Sequence, residues 1–199
     1  MNHIILPANS STNYHIHKEL RETQNDTQIF KFDIPKNTRL SLTIHLKTQN
    51  ACHLQLKLIL NLQGKNAFVH CNIFAQTKEK STITCITEQH HFAPNTTSEL
   101  VLKGGAFEQS LLKHTGIVTI KPSAPYSIAR QTAKIMLMGD KARALTKPDL
   151  EILHNNVICS HGSAVGTLDP EQLFLCQARG ISFDLAKDIL FNAFFKPHF

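Results

Sequence analysis

The chain has 199 residues, 42% of them hydrophobic and 18% charged, which supports one folded domain with a sizeable core and argues against disorder. Its net charge is +6, and the segment from Val101 to Lys147 carries the whole excess, with eight basic residues against Glu108 and Asp140. The apolar runs are too short to span a membrane, and no secretory signal is read at Met1 to Pro7. Five cysteines, at 52, 71, 85, 159 and 176, form no CxxC pair, and this odd, scattered set predicts reduced thiols in the cytoplasm.

The first 30 residues are rich in Asn, Thr, Ser and His, and predict an irregular segment over 1–30 with at most one ragged strand. From Thr38 the pattern is strict. "RLSLTIHL" turns Leu40, Leu42, Ile44 and Leu46 one way, and "HLQLKLILNLQG" does the same with Leu54, Leu56, Leu58, Leu60 and Leu62. Period-2 alternation of this length means strands with one dry and one wet face. "AFVHCNIFAQT", "STITCITEQ", "SELVLKGG", "GIVTIKPSA" and "SIARQTAKIMLM" continue the style, separated by "NLQGKN", "FAPNTT", "KGG" and "KPSAP". Such strands fit a sandwich, a barrel or a β-solenoid. The chain has no Asn-Gly or Asp-Gly hairpin signal and many polar rungs, which favours stacked coils over 31–167.

The character changes over 168–199. "DPEQLFLCQARG" predicts a helix capped by Asp169, with Pro170 in its first turn, Glu171 at its positive end and Gly180 as its stop. "SFDLAKDILFNAFF" predicts a second helix capped by Ser182, with a stripe of Phe183, Ala186, Ile189, Leu190, Ala193 and Phe194. Phe191, Phe195 and Phe199 fall partly off that stripe. A helical hairpin cannot bury two apolar faces alone, so it docks on the β-domain or on another protein.

Cys159 and His161, in "VICSHGSAVG", share a face if the backbone is extended. Thiolate and imidazole suit a soft metal or an iron–sulfur cluster, but two ligands do not complete a tetrahedral site. The remaining ligands would come from distant residues or from a partner. A Cys–His nucleophile lacks a recognisable orienting group and oxyanion hole. No GxxxxGK[ST], GxGxxG or GxSxG motif is present, so the chain is expected to bind no nucleotide itself and to be no enzyme. The other histidines, including the pairs His90–His91 and His15–His17, lie in polar stretches and are expected to face solvent. The basic segment alternates with apolar residues and lacks a stacking platform, so it reads as a solvated sheet face rather than a nucleic-acid surface.

"TKPDLEILHNNVICSHGSAVGTLDPEQLFLCQARGIS", from Thr146 to Ser182, with "AKDILFNAFF" after it, resembles the C-terminal signature of the SufB/SufD family of iron–sulfur cluster assembly scaffolds. Gly116, Ile117, Ala124, Gln131 and Pro148 carry a similar upstream stretch, and "CSHG" points to the SufD branch. The resemblance implies a right-handed parallel β-helix with a C-terminal α-helical hairpin. It implies a scaffold subunit paired with a SufB-like chain as a heterodimer, or with itself as a homodimer, and a SufC-like ABC ATPase docked on the hairpin. The docking residues would be Leu173, Phe174, Arg179, Leu185, Ile189, Leu190 and Phe194. Cys159 and His161 match the positions associated with a transient cluster assembled at the subunit interface. The chain is expected to be a short form without the family's N-terminal helical region. It has Asn155–Asn156 where the family has an acidic pair, and "FLCQARG" where "FYLRSRG" is usual. Competing readings are a stand-alone β-helix binding module, which would need carboxylates clustered along a groove if it acted on carbohydrate, and a basic nucleic-acid binder, whose affinity would fall steeply with salt.

Overall fold

A computed structural model describes residues 2–195. Its elements are β1 (Asn2–Ile5), β2 (Ser11–Leu20), β3 (Asn25–Ile34), β4 (Arg39–Thr48), β5 (His53–Leu62), β6 (Phe68–Thr77), β7 (Thr82–His91), β8 (Thr97–Ala106), β9 (Leu111–Ile120), β10 (Ile128–Leu137), β11 (Arg143–Ile152), β12 (Ile158–Thr167), α1 (Pro170–Ala178) and α2 (Phe183–Phe195). The odd strands form one parallel six-stranded sheet and the even strands another, with β1–β2 and β11–β12 at opposite ends. One odd and one even strand make a coil, so the chain winds a solenoid of about six turns, as the alternating strands led us to expect.

The alternation decides which way each side chain faces. In β4 to β7 every second residue is buried, and Leu40, Leu42, Ile44, Leu54, Leu56, Leu58, Val69 and Ile73 stack between the sheets. Even strands begin at residues 11, 39, 68, 97, 128 and 158, a repeat of 28 to 31 residues. One corner is marked by Asn9, Asn37, Asn66 and Asn95, each in the left-handed region that asparagine tolerates. There Asn37 Nδ2 donates to Asn9 Oδ1 (3.0 Å) and Asn66 Nδ2 to Asn37 Oδ1 (2.9 Å). At the opposite corner the Glu79 carboxylate accepts from Asn50 N (2.9 Å) and the Glu108 carboxylate from Glu79 N (2.8 Å).

Two expectations are corrected. The first 30 residues are not irregular: β1, β2 and the start of β3 join the solenoid, with Ser11 to Leu20 in register against Arg39 to Thr48. Their alternation is muted because an end coil has a neighbour on one side only. Apart from Ile5, the exposed strand positions are correspondingly polar, while Ile16 and Leu20 still point into the core. The solenoid therefore begins before residue 31.

The second correction concerns α2. Asp169 caps α1 as expected, its carboxylate accepting from Glu171 N (2.9 Å), and Gly180 at φ 82° ends it. On α2, however, Ala186 and Phe191 are buried, while Phe183 and Ile189 are exposed. The helix is rolled so that Phe191 meets the outer face of β8, where Gly105 leaves room. A Cβ on Gly105 would lie 2.5 Å from the Phe191 ring. Phe199 lies outside the described residues.

Candidate functional site

The parallel register places the Cys–His pair. Cys159 lies beside Ala129 and His161 beside Gln131, both of which point into the solenoid, so Cys159 and His161 share its inward face. They are about 6.6 Å apart along an extended strand. Because β12 is an edge strand, they stand at the open end of the interior. Cys159 is half-buried against Val118, Ile120, Ala124 and Ala129, and His161 is exposed. Burial raises the Cys159 thiol above its ordinary range, against a smaller lowering by a backbone hydrogen bond with Ala129. It is thus no pre-formed thiolate of the kind a nucleophile requires. Among the described residues, no group of three or more His, Cys, Asp or Glu side chains is placed to hold a metal ion. The pair is two donors at a rim, and any complete coordination sphere needs donors from beyond them.

Beneath His161 the interior is polar. Gln131 accepts through Oε1 from Gln89 Nε2 (3.1 Å). Its amide fills the space over Gly116, where a Cβ would come within 2.0 Å of Nε2. Gly116 pairs in register with Pro148, so residues that carried the upstream resemblance converge under the pair. Deeper in, His91 bonds to Thr96 Oγ1 (2.7 Å) and Ser98 Oγ (2.8 Å), and Thr96 Oγ1 to Ser127 Oγ (2.7 Å). His114 reaches Thr87 Oγ1 (3.1 Å) through Nε2, while its Nδ1 and Gln89 Oε1 have no hydrogen-bond partner among the described residues. His91 and His114 are 0% and 1% exposed, which corrects the expectation that these two histidines face solvent. The signal was in the sequence: Thr87, Gln89 and His91 occupy the same alternate positions as Ile83 and Cys85. Polar identity outweighed parity in that reading.

The hairpin has two unlike faces. Phe191 packs edge-on to Phe107 (4.9 Å between ring centres), Phe195 lies near Phe74 (5.9 Å), and Lys103 Nζ donates to the Phe194 carbonyl (2.8 Å) at the negative end of α2. Lys103 is therefore not on a solvated face: it is buried under the helix. Helix α1 buries no residue. Of the expected docking residues, Leu173, Leu190 and Phe194 are partly covered, whereas Phe174, Arg179, Leu185 and Ile189 are exposed, with Phe174 at 71%. Leu175 and Phe183 extend the same exposed surface. A crevice of about 330 Å³, lined by Leu137, Met138, Leu168, Leu173 and Phe183 among others, separates the hairpin from the β10–β11 turn.

Residues 1–194 match the family described as "SUF system FeS cluster assembly, SufBD core domain". The chain belongs to the SufBD core family. It is 29% identical over 133 residues to the iron–sulfur cluster assembly protein SufD of Escherichia coli K12, covering 67% of this chain and 31% of that protein. It is similar to SufD of Bacillus subtilis, at 27% over 137 residues, 63% of this chain and 31% of the relative. SufB of the same bacterium is 31% identical over 107 residues, 54% of this chain and 23% of the relative. The matches thus span about a third of the length of these curated relatives or less. Among the described residues of this SufBD-family member no helix is long and apolar enough to cross a membrane.

Proposed function

We propose that this chain is a SufD-like, non-enzymatic scaffold subunit of a SufBCD-type complex. In this reading it pairs with a SufB-like chain, or with a second copy of itself, through the open end of the solenoid, and docks a SufC-like ABC ATPase on the exposed side of the hairpin. The observation that carries the reading is β12: a ten-residue edge strand without a charged or buried residue, holding Cys159 and His161 on its inward face. An unprotected edge of this kind is a ready template for another chain. A partner seated there would supply the donors that the pair lacks.

The cluster is cargo, and the chain's own contribution is placement. Cys159 would offer sulfur once a partner's charge offsets the cost of its burial, and His161 an imidazole about one side-chain spacing away. The ATPase supplies the work. All five cysteines are free, which supports a reducing, cytoplasmic setting.

The test is co-expression of the tagged full chain with SufB-like and SufC-like partners, beside Phe174→Asp/Leu185→Asp and His161→Ala. Both altered hairpin residues are exposed, so the fold should be retained. Expected are loss of the ATPase alone in the hairpin variant, and intact assembly with reduced cluster yield in His161→Ala. Unchanged cluster yield in His161→Ala would remove the pair from the mechanism. Failure of the unaltered chain to retain either partner would remove the scaffold reading.

A further inference from the structure

We infer that the last coil, β11 with β12, is a separately opening unit of the solenoid, and that its opening uncovers the small apolar cluster on which Cys159 packs. The inference concerns the free chain and holds whether or not that chain assembles clusters.

Three observations carry it. First, neither β11 nor β12 contains a buried residue, whereas β4 to β10 bury alternate positions. Second, the surface beneath the last coil is mixed. Val157 and Cys159 pack on a small cluster of Val118, Ile120, Ala124 and Ala129, and Ala144 on the edge of the main core. Between these contacts His161 lies over Gln131 and Thr146 over His114, where side-chain hydrogen bonds replace apolar contact. Third, the hairpin is anchored away from the coil: α2 is fastened to the outer faces of β6 and β8 through Phe195, Phe191 and Lys103, a crevice lies between its Phe194 and Ala164, Gly166 and Thr167 of β12, and α1 buries nothing.

A solenoid is close to one-dimensional, so its stability is a sum of coils and of interfaces between neighbours. The last coil has one such interface, and that interface is partly polar. Each ladder bond to β10 and β9 exchanges for water at a net cost of about 1 kcal/mol, which the backbone entropy regained by the released residues, of like size per residue, offsets. Separation of this coil alone leaves the long apolar stack of β4 to β8 untouched, so it lies well below global unfolding in free energy.

Native-state hydrogen exchange of the full chain in increasing urea, followed peptide by peptide, tests this. Amides of β11 and β12 should exchange roughly 100-fold or more faster than those of β5 and β7, with little dependence on urea. Cysteine alkylation in the same samples gives an independent reading. The fully buried Cys71 and Cys85, inside the main stack, should react only on global unfolding and so stay protected where β12 exchanges. Val157→Ala, which trims a residue packed on the small cluster, should speed exchange of the last coil several-fold and leave β5 and β7 unchanged. Exchange of β12 with the free energy and urea slope of β5 and β7 would overturn the inference. So would alkylation of Cys71 and Cys85 at the rate of β12 exchange, because the opening would then include the main stack.

Discussion

Lowering the pH from neutral to about 4.5 should unfold this chain through two imidazoles, His91 and His114. Both lie inside the solenoid, and burial pushes each from the ordinary value of 6.5 down to about 4, with His90 a smaller contributor at His91. In the unfolded chain each takes up a proton below 6.5, and in the folded chain only near 4. Between those values the unfolded state binds more protons, so stability is complete above the window, falls as pH drops through it, and levels off below. The gap corresponds to about 3 kcal/mol per histidine, and for the pair it is comparable with the whole stability of an ordinary domain.

Carboxylates act lower on the scale. Burial works against the charges of Asp33 and Glu88, yet hydrogen bonds from Asn61 and His3, and from Lys57 and His90, hold both below the usual range. Their contribution is present above the ordinary carboxylate values and is lost only as pH falls through the depressed ones. Urea midpoints measured in steps across the window decide the matter, beside His114→Leu, which cannot be protonated and keeps the bulk between Cys85 and Thr146. The variant should lose about half of the slope. A stability that stays flat from neutral to about pH 5, or a slope that His114→Leu leaves intact, would refute the reasoning.

Gly105→Val should detach α2 without unfolding the solenoid. Its side chain would occupy the place of the Phe191 ring, whose lost packing costs about 3–5 kcal/mol, and an isolated helix of this length is marginal in water. Hydrogen exchange should show α2 unprotected and β4 to β8 unchanged; retained protection of α2 would mean that the helix is held elsewhere. Tyr126→Asn should raise the urea midpoint by the equivalent of about 1 kcal/mol, because Tyr126 is held at φ 60° at the corner where earlier coils place asparagine. A lower midpoint would show that the tyrosine ring contributes more than its backbone costs.

Much of this architecture was legible because inward and outward positions differ so sharply in β4 to β9. Leu54 to Leu62 states the strand, its buried face and its length in one line. What was missed has two causes. At the start of the chain, residues such as Thr12 and Asn13 lie on a coil with one neighbour, so the sequence there need not alternate strictly. Around His91, burial is bought with hydrogen bonds rather than with apolar surface, and composition alone reads such residues as exposed. The corner asparagines at 9, 37, 66 and 95 were a third signal, a repeat of 28 to 29 residues that strand patterns alone did not reveal. For the site, the pairing of Cys159 with His161 on one face followed from their spacing. Its place at the rim did not, because that depends on which strand ends the sheet. The roll of α2 depended on Gly105, far away in sequence.

The distribution of exposed apolar side chains ties the two proposed surfaces together. Among the described residues, apart from Ile5, Phe92 and Tyr126, every large hydrophobic side chain found exposed lies at or beyond Leu145. They divide between the last coil, with Leu145, Leu153, Ile158 and Val165, and the hairpin, with Phe174, Leu175, Leu185 and Ile189. Only Leu168 and Asp169 separate β12 from α1, whereas α2 is tied to β6 and β8. A partner that moves α1 therefore pulls on the edge strand directly, and α2 keeps the rest of the solenoid out of the motion. With a main core of stacked leucines that does not yield, displacement at the hairpin has one compliant element on which to act: the coil that carries Cys159 and His161.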